Sequence, residues 1–503
     1  MTPRARIRSR RARSAWTVLI GLGASASLGC SAVLDFGDAC SVDTDCDRLA
    51  RGQRCDRGFC VPKPILDASV HCDRFFGEDP QTSDPANLVV VGSLLPLGDG
   101  SDQGARLAVK QINETGGIAG KKLSMIACDD GDDSDQGRLA ARHLIDVAKV
   151  DAIIGAGSSQ VTIDVFTELA LPSRVLMISP SATSPTLTDR PDNGLLWRTA
   201  PSDVFQGKTI AHYLMSRGFT RIAIVARSDN YGDGMRRIIH DELCALHFDC
   251  SNTDLLVELA YTTDPNGQAE DFTRAVAVLD GQQPDVVVLV SFVSDGVDFI
   301  NAATGHGYKY VFADGFRDPE AIVVSDPERP HSVVTTPTEL CGAVGTNPGV
   351  TDLYGGFAAD FRAIFGSDPK TFAPHAYDAT YLVAYAYVGA LGAGTQLADL
   401  DGRGLAEQLK RLTGGTTAIN VGTGDLGRAE GVLGANGTSA IDLKGISGEL
   451  DFEAASGEAP ASIQMWAFDL AAGRISNLGV VFDHEGVYDF GDVGSFSTTA
   501  PCD

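Results

Sequence analysis

One stretch of the sequence, from Asp151 to Asp189, constrains the fold more than any other. It reads as a buried strand, a turn rich in glycine and serine, a helix, a second buried strand, and a polar turn that contains Ser181 and Thr183. Strands joined by a helix in this way build an open α/β sheet. Small ligands bind such sheets at the carboxyl ends of the strands. We therefore predict that the two turns contribute to a binding site for a small molecule.

The first of these turns ends in Ser158 and Ser159, immediately before the helix. Serine hydroxyls and the free N–H groups of a helix N-terminus both favour an anionic group such as a carboxylate. The alternative is that Ser159 is only the N-cap of the helix, since serine is preferred there and needs no ligand to explain it. Both interpretations of Ser159 stay open at this point.

The alternation of strands and helices extends on both sides of this stretch. A first series begins at Leu88, a second begins at Arg221, and the chain becomes rich in helices beyond Pro330. This order predicts parallel sheets with helices on both faces. We expect an α/β fold with two doubly wound parallel-sheet lobes, the helical segment returning to cover the first lobe.

The first thirty residues predict export. An arginine-rich segment precedes an apolar run that is shorter than the roughly 20 residues of a membrane span. The run ends in Ser27-Leu28-Gly29-Cys30, which resembles a bacterial lipoprotein cleavage site with Cys30 as the lipidated residue. A plain secretory signal is the alternative, and the Arg10-Arg11 pair hints at twin-arginine export. We expect a periplasmic or cell-surface protein held to the membrane by a lipid anchor.

The remaining ten cysteines fit an oxidising compartment. Four of them lie in residues 40–60, a segment too small for its own hydrophobic core, and predict a knot with two disulfides: Cys40, Cys46, Cys55 and Cys60. A zinc site is the alternative, although CxxC pairs are missing. Cys244 and Cys250 are close enough for a local bridge, whereas Cys72, Cys128, Cys341 and Cys502 allow three pairings.

From residue 87 to about 483 the sequence resembles the type I periplasmic solute-binding proteins of the leucine/isoleucine/valine-binding branch. The resemblance rests on several motifs in a fixed order: GSLLPLGDGSDQGARLAVKQINETGGIAGKKL, CDDGDDSDQGRLAARHLI, IIGAGSS, VLMISPSATSPTLTD, LLWRTAPSDVFQG, IAIVARSDNYGDG and AYDATYLVAYA. It implies two lobes joined by three crossovers, which close on a ligand by a hinge motion. It also implies a non-enzymatic protein that delivers its ligand, an amino acid or amide-like solute, to an ABC permease.

The resemblance also implies the ligand contacts. Ser158 and Ser159 match the hydroxyl turn, Ser181 and Thr183 match the family's AAT-like turn, and Tyr231 matches a tyrosine of the second lobe that packs across the ligand. Asp314 takes the place of the acidic partner of the ligand's amino group, in a turn that differs from the family's Pro-Glu-Gly.

The sequence then divides as follows: a signal peptide at 1–29, a tether at 30–86 with the knot at 40–60, the first lobe at 87–207 and 335–445, the second lobe at 208–334 and 446–485, and a tail at 486–503.

Other functions have weaker support in the sequence. The net charge of −26 argues against nucleic acid as a partner. The acidic run at 129–135 lacks the glycine and closing glutamate of an EF-hand loop, and capping of the next helix explains it better. The GxGxxG match at 422–427 follows no predicted strand. We expect no metal, cofactor or catalytic residues, which makes a hydrolytic enzyme the weakest candidate. The main rival to transport is an extracellular sensor that presents its ligand to a membrane receptor.

Overall fold

The computed structural model describes residues 40, 42, 45–46, 53–56, 59–98, 100–323, 332–435, 437–483, 486–491 and 493. The predicted signal peptide, the lipidation site Cys30 and the end of the predicted tail lie outside these residues. Within the same ranges, none of the helices combines the length and the apolar composition that crossing a membrane requires.

Two disulfides hold the N-terminal knot together. Cys40 is bonded to Cys55 and Cys46 to Cys60. A short antiparallel hairpin, β1 (Gln53–Asp56) and β2 (Phe59–Pro62), places Cys55 opposite Cys60. All four sulfur atoms are therefore in disulfides, which leaves no thiolate here for the alternative zinc site.

The first lobe is built on a six-stranded sheet with the strand order β3-β5-β4-β6-β7-β8. Its strands are β3 (Arg74–Gly77), β4 (Leu88–Leu94), β5 (Lys122–Cys128), β6 (Ala152–Gly155), β7 (Leu176–Ser179) and β8 (Leu196–Arg198). Helices Ser101–Glu114, Ser134–Asp146 and Ser159–Val165 connect them, the last continuing through a π-turn at Phe166–Ala170 and a final turn at Leu171–Ser173. All strands are parallel except β3, which is antiparallel to β5.

The second lobe is built on a seven-stranded sheet with the order β10-β9-β11-β12-β13-β16-β17. Its parallel strands are β9 (Ile222–Arg227), β10 (Leu256–Tyr261), β11 (Val286–Val290), β12 (Tyr310–Phe312) and β13 (Val344–Pro348). Helices Asp203–Ser216, Asn230–Ala245, Pro265–Gln282 and Val293–Ala302 lie between them. In both lobes the parallel strands follow the doubly wound order 2-1-3-4-5.

The chain then returns to the first lobe and leaves it once more. The returning segment contains helices Tyr354–Phe365, Ala373–Gly392, Gly402–Leu409 and Leu426–Leu433, and the two-stranded sheet of β14 (Ala418–Asn420) and β15 (Asp442–Lys444). Strands β16 (Ile463–Asp469) and β17 (Arg474–Phe482) close the second sheet in antiparallel fashion. Three crossovers therefore join the lobes, as the family resemblance implies.

The predicted tether is wrong for residues 72–77. Strand β3 belongs to the first sheet, and the neighbouring Cys72 is fully buried and bonded to Cys128 at the end of β5. A polar, proline-rich composition indicates a linker. It cannot predict an edge strand that is held in place by a disulfide to a distant cysteine.

The predicted lobe boundaries also need correction. Strand β13 lies in the range assigned to the first lobe, yet it pairs with β12 in the second. Ile446 and Leu450 lie in the range assigned to the second lobe, yet they pack in the core of the first. In the predicted tail, Tyr488 stacks on His212 with ring centroids 3.9 Å apart, so this part belongs to the second lobe. Apolar patterning predicts the elements, but it does not say which core a returning segment joins.

The helix Ala373–Gly392 forms the centre of the first lobe and is buried along most of its length. It approaches the helix Ser101–Glu114 so closely that a Cβ atom added at Gly104 would lie 2.0 Å from the carbonyl oxygen of Ala373. Only glycine permits this approach of two backbones. The contact fixes the start of the central helix, and with it the loop at 370–372 that reaches the space between the lobes.

Candidate ligand-binding cleft

A cleft of about 700 Å³ lies between the two lobes, at the carboxyl ends of both parallel sheets. This is the position at which doubly wound sheets bind ligands. All six predicted ligand contacts line it: Ser158, Ser159, Ser181, Thr183, Tyr231 and Asp314. The first four belong to one wall, formed by the first lobe, and the last two belong to the opposite wall.

The turn after β6 contributes Ser158 and Ser159 in different ways. Ser158 is the N-cap of the following helix, and its hydroxyl accepts a hydrogen bond from the backbone N–H of Val161 at 3.5 Å. The hydroxyl of Ser159 accepts from the N–H of Ser184 at 3.1 Å, which joins the two turns of the first lobe. The helix cap is therefore Ser158, the capping interpretation of Ser159 is wrong, and Ser159 orders the turn that contains Thr183.

We expect Ser158→Ala to lower the free energy of unfolding by about 1 kcal/mol, because the mutation removes a helix cap. We also expect the affinity for ligand to change by less than about threefold, since the capping hydroxyl is already engaged within the protein. Chemical denaturation and calorimetric titration of the same variant measure the two effects. A loss of ligand affinity without a loss of stability would assign the hydroxyl to the ligand instead of the cap.

The turn after β7 contributes Ser181 and Thr183. Ser181 donates a hydrogen bond to the carbonyl oxygen of Gly157 at 2.8 Å, and Thr183 donates to a carboxylate oxygen of Asp203 at 3.0 Å. Among the described residues, the backbone N–H groups of Ser159 and Thr183 have no hydrogen-bond acceptor. Two unsatisfied donors on one wall of a cleft suit a ligand carboxylate.

The opposite wall is built around Asp314, which is only 3% exposed. Its carboxylate accepts a hydrogen bond from the Tyr231 hydroxyl at 2.6 Å and from the N–H of Gly315 at 3.0 Å. The N–H of Asp314 donates to the side-chain oxygen of Gln206 at 3.3 Å. The predicted pair of Tyr231 and Asp314 thus forms a single hydrogen-bonded unit.

Asp203 and Asp314 form a pair of buried carboxyl groups behind the cleft. Burial raises the pKa of both, and the charge of Asp314 further raises the pKa of Asp203. One oxygen of Asp203 accepts from Thr183, whereas the other has no hydrogen-bond partner. Two like charges in a buried site disfavour each other, so the pair favours a form in which one of the two carboxyl groups is protonated.

Sequence reasoning missed an aromatic and charged group next to Tyr231. Phe292 stacks on Tyr231 with ring centroids 5.5 Å apart, whereas alternation continued from the preceding strand would point its side chain into the core. Strand β11 ends at Val290, so the alternation no longer applies at Phe292. The guanidinium of Arg227 lies 3.6 Å from the centroid of the Phe292 ring. An arginine that ends an otherwise apolar strand was the available signal for this group.

Polar contacts bridge the lobes at two places beside the cleft. At one, the ammonium group of Lys370 lies 2.9 Å from Asp318 and 3.2 Å from Glu320 in the other lobe. At the other, the hydroxyl of Ser184 donates to the carbonyl oxygen of Asn230 at 2.8 Å. Both contacts would break if the lobes swung apart, so they belong to a closed arrangement.

The fold and the cleft define a type I periplasmic binding protein. Comparison with known proteins agrees, since the family model for periplasmic binding proteins matches residues 90–436. The chain therefore belongs to the periplasmic binding protein family, whose members bind solutes.

Two curated relatives are similar over part of their length. The chain is 29% identical over 238 residues to the leucine-specific-binding protein of Salmonella typhimurium, which covers 46% of this chain and 60% of that protein. It is 35% identical over 156 residues to the Leu/Ile/Val-binding protein of Escherichia coli K12, covering 30% of this chain and 41% of that protein. The chain thus spans 60% or less of the length of these two relatives.

Solved structures share the fold at low sequence identity. A branched-chain amino acid transporter substrate-binding protein from Streptococcus pneumoniae, in complex with isoleucine, has a TM-score of 0.60 at 20% identity and covers 78% of this chain and 99% of its own. A solute-binding protein from Rhodopseudomonas palustris, in complex with benzoate, has a TM-score of 0.60 at 18% identity. The match covers 80% of this chain and 98% of that protein's chain. Ligands as different as isoleucine and benzoate occur on this fold, so the fold leaves the ligand open.

Proposed function

We propose that this protein is an exported solute-binding protein that captures a free α-amino acid in the interlobe cleft and delivers it to an ABC permease. It releases the ligand chemically unchanged. The leucine-binding and Leu/Ile/Val-binding relatives support this class of ligand. The N-terminal sequence supports export and an anchor at Cys30, with the knot between the anchor and the lobes.

One observation carries the proposal: the two walls of the cleft present complementary groups to the two ends of an amino acid head. The first lobe offers the unsatisfied N–H groups of Ser159 and Thr183, which suit the α-carboxylate. The second lobe offers the buried carboxyl of Asp314, which suits the α-ammonium group. A ligand that needs both walls stabilises the closed arrangement, because only that arrangement satisfies both of its ends.

A thermal-shift panel on ligand-free protein tests this proposal. Each L-amino acid is compared with the amine that lacks its carboxylate and with the acid that lacks its amino group. We expect at least one amino acid to raise the melting temperature by several degrees, since bound ligand stabilises the folded state. We expect both truncated analogues of that amino acid to have little effect. A response to the truncated analogues but not to the amino acids would contradict the proposal.

Ligand binding should also release a proton. Without a bound ammonium group, burial raises the pKa of Asp314 and of Asp203 above the ordinary value of a carboxyl group. A bound ammonium group favours the ionised carboxylate, lowers its pKa and expels the proton. Apparent affinity should therefore increase with pH until the free pair is ionised. The number of protons released on binding is measured by calorimetric titration in phosphate and in Tris. The ionisation enthalpies of these buffers differ, so the difference between the two measured binding enthalpies gives the number of protons.

Asp203→Asn is the matched variant for this measurement. It keeps the shape of the side chain and removes the carboxyl group whose pKa the charge of Asp314 raises further, so binding should release fewer protons than in the wild type. Equal proton release by both proteins, or proton uptake, would show that another group titrates.

A further inference from the structure

The topology gives the cleft two distinct ends. The groups assigned to the amino acid head follow β6, β7 and β12, together with Tyr231 from the helix after β9, and they occupy one end. A second set follows β5 in the first sheet and β9, β10 and β11 in the second: Asp132, Arg227, Thr263, Gln268, Asp295 and Asp298. Asp132 of the first lobe is close enough to Arg227 and Asp295 of the second to interact with their charges, so these residues meet at the opposite end, which we call the distal end.

The distal end carries excess negative charge. Arg227 is its one cation among the described lining residues, and it already pairs with Asp229 at 2.5 Å and with Asp295 at 3.2 Å. Asp132 and Asp298 are both accessible to solvent, and neither forms an ion pair with another described residue. Burial in the cleft and neighbouring carboxylates raise the pKa of Asp132 to about 6, so its carboxylate is mostly ionised at neutral pH. They come from opposite lobes, so a group held between the closed lobes would face a carboxylate on each side.

A buried acceptor at the same end is also unsatisfied. Asp295 is 4% exposed and lines the cleft. One of its oxygens accepts from Arg227 and from the hydroxyl of Tyr261 at 2.5 Å, whereas the other has no hydrogen-bond donor. A buried carboxylate oxygen without a donor is unfavourable, which points to a hydrogen-bond donor supplied from outside the chain.

We propose that the distal end binds the cationic side chain of a basic amino acid, so that the ligand is a diamino or guanidino acid instead of an aliphatic one. This inference rests on the proposed function, because the α-amino and α-carboxylate groups position the side chain. A terminal ammonium or guanidinium group donates several hydrogen bonds. It also carries a positive charge, which Asp132 and Asp298 lack as a partner. The cleft volume of about 700 Å³ leaves room for an extended side chain.

Calorimetric titration of the ligand-free protein with five amino acids tests the inference: L-arginine, L-lysine, L-glutamine, L-leucine and L-glutamate. We expect arginine or lysine to bind at least about tenfold more tightly than glutamine or leucine, because two carboxylates attract the side-chain cation at short range. We expect higher salt to weaken this binding and to leave leucine unchanged, since salt screens exposed charges.

Single substitutions locate the effect. Asp132→Asn and Asp298→Asn should each weaken the binding of the basic amino acid by about fivefold, as expected for one partly screened charge. Both should leave glutamine binding within twofold. The control is Asp254→Asn, which removes an exposed carboxylate of the second lobe outside the cleft lining. It should change neither the affinity for the basic amino acid nor the affinity for glutamine. The asparagine at position 132 also suits the left-handed backbone there, with φ of 54°.

The outcomes of these titrations distinguish a failure of this inference from a failure of the proposed function. Tightest binding of leucine or glutamate overturns the inference, while the protein remains an amino acid binder. Binding of none of the five, together with a flat thermal-shift panel, overturns the proposed function itself. A preference for arginine or lysine that both substitutions reduce, and the control does not, supports the assignment.

Discussion

Asp314→Ala should weaken the binding of an α-amino acid by about 100-fold or more. The carboxyl is buried behind the cleft and held by the Tyr231 hydroxyl and the N–H of Gly315. Its removal leaves the ligand's ammonium group without a counter-charge in a site that excludes water, a loss that typically costs about 2–5 kcal/mol. Calorimetric titration of the purified variant with the amino acid found in the thermal-shift panel measures the change.

Asp314→Asn separates charge from shape in this experiment. The amide oxygen still accepts from Tyr231, so the local structure should persist, and we expect no loss of folding stability. The affinity should nevertheless fall nearly as far as in the alanine variant, because the counter-charge is lost in both. If the asparagine variant binds within threefold of the wild type, Asp314 is a structural residue and not the ammonium partner.

The second large effect concerns Asp378, which lies in the second turn of the buried helix Ala373–Gly392. Its carboxyl accepts hydrogen bonds from the N–H of Ile446 at 3.1 Å, the N–H of Ser447 at 2.8 Å and the Ser447 hydroxyl at 2.6 Å. Asp378→Ala leaves three buried donors without an acceptor. We expect a loss of about 3–5 kcal/mol in the free energy of unfolding, measured by chemical denaturation.

Asp378 should also make stability depend on pH. Burial raises the pKa of its carboxyl to about 7 in the folded protein, against a value near 3.8 without burial. The folded state therefore binds the proton more tightly than the unfolded state. The resulting stabilisation is fully present below about pH 4 and is lost as the pH rises to about 7.

Asp378→Asn removes this titration and keeps most of the hydrogen bonds. We expect it to be less stable than the wild type at pH 4. This difference should shrink by about 4 kcal/mol by pH 8, because the wild type loses its stabilisation over that range. Other buried acids titrate in both proteins and cancel in the comparison. A stability difference that does not change between pH 4 and pH 8 would show that Asp378 does not titrate in this range.

The sequence predicts the strands, the two doubly wound lobes and the cleft because these follow from local patterns. Ser159, Thr183 and Tyr231 stand directly after apolar strands, and the order of a parallel sheet brings such positions to one edge. Asp314 follows β12 for the same reason, and it reaches Tyr231 although 83 residues separate them.

The features that the sequence did not predict depend on contacts between distant segments. The pairing of Thr183 with Asp203 requires a crossover to place a helix start beside a turn. Phe292 and Arg227 meet only because β9 and β11 are neighbours in the sheet. The lobe boundaries depend on which core a returning segment completes, and β3 depends on a disulfide across 56 residues. Periodicity in the sequence contains none of this information.

A crystal structure of the protein with its bound amino acid tests the assignment of the cleft. We predict a ligand enclosed between the lobes, with its carboxylate within hydrogen-bond distance of the N–H groups of Ser159 and Thr183 and its ammonium group against Asp314. A ligand bound with its head at the opposite end of the cleft, or outside the cleft altogether, would contradict it.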